Sequence, residues 1–121
     1  VERLAKALKF LGLPAKGKPC HAMIGLVEES AESIEATGPA AVRDAALIGA
    51  AQRVEHYEIA GYGTARAFAK ALGESGVVEL LKATLEEEGE TNKLLTKISN
   101  SVNAEALATR GQDQTKPKSK K

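Results

Sequence analysis

The segment ALGESGVV, residues 71–78, constrains this chain more than any other. It separates two long helix-forming runs. Before it lies the alanine-rich stretch Ala40–Leu72; after it comes VVELLKATLEEEGETNKLLTKISNSVNAEAL, ending near Ala106. At a rise of ~1.5 Å per residue the first run makes a helix on the order of 50 Å long. Gly73, with Gly76 close behind, gives a tight turn. A loop that short forces the two helices to lie antiparallel and adjacent. The rest of the chain adds shorter pieces. VERLAKALKFLGL places Leu4, Ala7, Leu8, Leu11 and Leu13 on one side of a helix that Gly12 and Pro14 stop. His21–Ala36 reads as a second helix, with Met23, Ile24, Val27, Ala31 and Ile34 at helical spacing and Gly38–Pro39 closing it. No stretch alternates as a strand would. The expected fold is all-α: residues 1–108 form the helical domain and 109–121 a disordered basic tail.

Composition narrows the function classes. The net charge is +1. Arg110, Lys116, Lys118, Lys120 and Lys121 are opposed in the tail only by Asp113, so the helical body is mildly acidic. That distribution argues against a nucleic-acid-binding domain. No apolar run reaches the ~20 residues that a membrane span requires. Cys20 is the single cysteine, which excludes an internal disulfide and fits a reducing, cytoplasmic setting. Cys20 and its neighbour His21 read as structural.

The informative residues interrupt the core stripes. On the third helix Leu47, Ala51, Val54, Ala65, Phe68 and Leu72 define an apolar side. Steps of three and four carry that side through Glu55 and Glu58 to Tyr62. His56 points elsewhere. On the fourth helix the stripe is Val77, Leu81, Thr84, Glu88, Thr91, Leu95, Ile98 and Val102. Glu86, Glu87 and Glu90 flank it or face out. Glu58 and Glu88 lie equally far from Gly73, so a hairpin sets them opposite each other. Buried carboxylates facing one another repel, and a divalent metal resolves the conflict because carboxylate oxygen is a hard ligand. Pairing with Arg53 or Arg66 is the metal-free alternative.

VRDAALIGAAQRVEHYEIAGYGT, LLKATLEEEGETN and KGKPCHAMIGLVEES together resemble the YciE/YciF family of bacterial stress-associated proteins within the ferritin-like superfamily. The resemblance implies a partial ferritin-like four-helix bundle, with the long antiparallel hairpin and a short crossover helix near residues 21–36. It implies a di-metal carboxylate site taking Fe or Mn and handling oxygen, peroxide or the metal, and a homodimer. Glu55, Glu58 and Glu88 fall on ligand-type positions, with Tyr62 and His56 as supporting neighbours. It also places the family's first helix and most of its second before residue 1. Thr91 stands where many ferritin-like sites have histidine. This chain then offers half a site, completed by preceding residues or by a second copy across a two-fold axis. A metal-free structural or interaction module is the competing expectation; whether the chain is an enzyme is left open.

Overall fold

The computed structural model describes the backbone of residues 1–113 and the side chains of residues 1–109. The charged end of the expected tail, residues 114–121, lies outside the described residues. Four helices follow in order: α1 (Glu2–Phe10), α2 (His21–Glu35), α3 (Ala40–Ala71) and α4 (Ser75–Asp113). There is no strand among the described residues. The last helix runs to Asp113, past the expected end near Ala106, since no proline interrupts it before that point.

Glycine sets both sharp stops. Gly73 adopts φ +75°. Its N–H donates to the Lys70 carbonyl at 3.2 Å and the Glu74 N–H to that of Ala69 at 2.9 Å. This paired closure needs a left-handed residue after the last helical turn. Gly12, at φ +67°, repeats it after α1, with Gly12 N–H to Lys9 and Leu13 N–H to Leu8.

The α3/α4 hairpin is the spine. α1 packs on α4, and α2 on α3. The buried core is small: Ala7, Ala69, Val77 and Leu81, with Leu4, Tyr62, Val78 and Leu80 packed around it. It sits beside the Gly73 turn. α1 has only nine residues, too short to persist alone, so Leu4 and Ala7 hold it through this cluster.

Several expected core residues face outward. Phe68 is 65% exposed and Leu72 75% exposed, while Ala50 and Ala69 are the buried residues of α3. Phe68 and Leu72 instead wall an open apolar groove with Leu4 and Leu8 of α1 and Leu11 just after it. They lie on the flank of α3, whereas the α4 contact needs small residues where two long helices approach closely. On α2, Ile24, Val27 and Ile34 are exposed; Met23, Gly25, Leu26, Ser30 and Ser33 are the half-buried ones. The α4 stripe holds through Val77, Leu81, Thr84 and Glu88, then runs through Asn92, Leu95, Ser99 and Val102, leaving Thr91 and Ile98 exposed.

Candidate metal centre

Above the apolar cluster the hairpin seam turns polar. Thr84 is buried, and its hydroxyl donates back to the Leu80 carbonyl at 3.4 Å. One turn further along α4, Glu88 faces Glu55 and Glu58 of α3. One carboxylate oxygen from each of the three lies within 4.8 Å of the others, and all three residues are half-buried. The (i, i+3) step places Glu55 and Glu58 on one face, and the hairpin register supplies Glu88. Tyr62, one turn past Glu58, donates its hydroxyl to Glu58 Oε1 at 3.2 Å. Beyond the carboxylates an amide layer closes the seam: Gln52 Nε2 donates to Asn92 Oδ1 at 3.2 Å and to Thr96 Oγ1 at 2.9 Å.

The electrostatics are strained. Burial, then the adjoining Glu55 carboxylate, holds the Glu88 carboxyl above its ordinary range; Glu87 adds to this and Arg3 opposes it. Burial and the Glu58 charge likewise push the Tyr62 phenol up. Glu55 Oε2 is buried and has no hydrogen-bond partner. A carboxylate oxygen in that position is satisfied by a proton on its neighbour or by a cation. Three converging oxygen donors with one orphaned oxygen fit a hard divalent cation.

The sequence-based expectations meet this geometry unevenly. Glu55, Glu58, Glu88 and Tyr62 come together. His56 is exposed on the far side of α3, so it does not support the carboxylates. The arginine pairing fails: Arg53 reaches Glu29 of α2 at 3.7 Å, and Arg66 Nε is buried without a partner. The cation beside the cluster is Arg3 of α1, which bonds Glu87 through both its terminal nitrogens and Thr84 Oγ1 at 3.1 Å. Arg3 sits one turn before buried Ala7, so a charge on α1's apolar side was its signal. Gln52 and Asn92 lie one turn from Glu55 and Glu88 on the same stripes. Cys20, at the start of α2, meets the Tyr57 hydroxyl at 2.9 Å and ties the preceding loop to α3.

The family DUF892, described as a domain of unknown function, matches residues 1–108. Protein YciF of Escherichia coli (strain K12) is 54% identical over 108 residues, covering 88% of this chain and 65% of YciF. The crystal structure of that E. coli stress protein superposes with a TM-score of 0.81 at 47% identity, over 85% of this chain and 65% of the other. YcfI from Rhodopseudomonas palustris, described as a candidate structural protein, gives 0.74 at 42%, over 78% and 60%. The chain thus spans just under two thirds of the length of these relatives.

Proposed function

The chain belongs to the DUF892 family, and from that premise we propose that it is a ferritin-like, stress-associated protein whose Glu55, Glu58 and Glu88 bind Fe or Mn. The observation that carries this reading is the convergence of the Glu55, Glu58 and Glu88 carboxylates, of which Glu55 also has a buried, unpartnered oxygen, Oε2. Such a group costs on the order of 1–3 kcal/mol unless something satisfies it. The likeness to a stress protein supports the same reading.

Each side chain has a part. Glu55, Glu58 and Glu88 supply the oxygen donors. Tyr62 fixes the Glu58 carboxylate by its hydrogen bond. Leu81 and its neighbours pack an apolar cluster on the turn side of the carboxylates. When bound, an iron or manganese pair supplies redox chemistry toward oxygen or peroxide, or is itself the cargo. A di-metal centre takes further ligands, from residues of the longer family architecture or from a second copy in a homodimer. No helix among the described residues is long and apolar enough to cross a membrane, and a cytoplasmic setting belongs to the same proposal.

A second reading has its own support. A protonated Glu88 donating to Glu55 would satisfy the cluster with no metal, and the upward displacement of Glu88 favours that form. The protein would then be a helical structural module, as the description of YcfI suggests for that relative. Metal content decides between them. Purified chain, reconstituted with Fe(II), Mn(II) or Zn(II) and desalted, is expected to retain Fe or Mn, and Glu58→Ala and Glu88→Ala to lose it. Equal retention in the variants would sink the site; no retention in the parent would favour the structural module.

A further inference from the structure

Glu87 and Glu88 are neighbours on α4, about 100° apart around the helix axis. Only Glu88 belongs to the carboxylate triangle. Glu87 lines the same open chamber, together with Arg3, Glu58, Tyr62 and Thr84. A fourth carboxylate thus stands at the mouth, on a side chain with three rotatable bonds, within a sequence that supplies nothing on α4 itself to hold it back.

Arg3 holds it. The guanidinium grips both Glu87 oxygens, Nη1 to Oε2 at 2.7 Å and Nη2 to Oε1. This fork-on-fork arrangement fixes direction as well as distance. The third bond, Nη1 to the buried Thr84 hydroxyl at 3.1 Å, anchors the guanidinium to α4 on a point that is itself tied to the helix backbone. The pair is too exposed for its role to be stability: the two side chains are 38% and 62% exposed, and such ion pairs contribute little. A three-point clamp on a weakly stabilising pair is better explained by what it restrains.

We infer that Arg3 is a positioning residue that sets the ligand count of the carboxylate centre, holding Glu87 against α1 and out of reach of a cation bound by Glu55, Glu58 and Glu88. The inference rests on the metal-binding reading above. Cation affinity at oxygen sites rises with the number of charged ligands. Releasing Glu87 therefore tightens binding and shifts preference toward ions that take more oxygen ligands.

Mn(II) titration calorimetry on the full chain tests this with five proteins: the parent, Arg3→Met, Arg3→Lys, Arg3→Met combined with Glu87→Gln, and Glu88→Ala. Arg3→Met is expected to bind Mn(II) about tenfold more tightly, through the added carboxylate. Arg3→Lys keeps the charge but loses the fork, so it tightens by a smaller factor. The double variant returns to within about twofold of the parent, since the freed carboxylate is gone. A merely structural Arg3 moves the opposite way: affinity falls as α1 loosens, in step with the melting temperature read by circular dichroism. Weaker or unchanged binding in Arg3→Met, or tightening that survives Glu87→Gln, overturns the inference. If the parent binds Mn(II) no better than Glu88→Ala, the carboxylate site itself falls and this inference with it. If only the Arg3 variants fail to differ from the parent, the site stands and the clamp does not.

Discussion

The two stretches of the α3/α4 seam on either side of Thr84 are built on opposite principles. Next to the Gly73 turn, Ala69, Val77 and Leu81 pack with Ala7 into a dry cluster. Further from the turn, the same two helices meet through Glu55, Glu58, Glu88, Gln52 and Asn92. Helix geometry and register are continuous across the boundary, so backbone does not account for the change. What differs is what each stretch asks of water. The first excludes water and gains from burying carbon. The second buries groups that prefer water, and leaves Glu55 Oε2 without a partner. One stretch holds the hairpin together; the other gives up part of that stability by bringing carboxylates together.

Leu81→Ala breaks the comparison hardest. Leu81 is 5% exposed within the cluster. Its loss is expected to cost about 2–4 kcal/mol through lost burial and the cavity left behind. Chemical denaturation read by circular dichroism measures it. The carboxylate stretch contains no counterpart: no truncation there should approach this loss in metal-free protein.

Legibility in the sequence divides along the same boundary. The hairpin was readable because Gly73 and Gly76 sit between two long helical runs. Glu55, Glu58 and Glu88 were readable because steps of three and four place them on the inner stripes, and equal distance from Gly73 sets their level. The flanks were not. Phe68 and Leu72 share the apolar side of α3, but periodicity does not say which edge of that side a neighbouring helix covers. Here α1 packs against α4 and leaves that edge as a groove wall. Ala50 and Ala69 are buried because their small size lets the long helices approach, a choice that hydrophobicity ranks below phenylalanine or leucine. Arg3 is not legible because its partner Glu87 lies 84 residues away in sequence, whereas Arg53 and Arg66 lie close to Glu55 and Glu58 along the chain.

Glu88→Leu sharpens the comparison by making the second stretch resemble the first. In metal-free protein the change is expected to raise stability by about 1 kcal/mol, because it removes a buried carboxyl and its conflict with Glu55. Metal retention should vanish in the same variant. A loss of stability in chelator-treated Glu88→Leu would mean that the Glu55–Glu88 contact is favourable as it stands. Gln52→Ala tests the amide layer beside them. It removes two hydrogen bonds, leaving Asn92 and Thr96 to water, and should cost on the order of 1 kcal/mol. The same denaturation experiment reads it.

The smallest effect is a pH dependence in which two adjacent residues carry opposite signs. Burial and Glu55 raise the Glu88 carboxyl, so the native state keeps a proton there after the unfolded chain has released it. Between the ordinary glutamate value and the raised one, the native state binds more protons, and stability falls as pH rises. Arg3 lowers Glu87, so the native state loses that proton first; this contribution is complete above the ordinary value and disappears as pH falls through the lowered one. In chelator-treated protein, Glu88→Gln should remove the decline on the alkaline side of the ordinary value. Glu87→Gln should remove a decline on the acid side, and added salt should weaken that limb further because the Arg3 pair is exposed. Melting temperatures taken across the acidic range separate the two limbs. If both variants alter the same limb, Glu87 and Glu88 share one environment, and the division of labour between clamp and cluster fails with it.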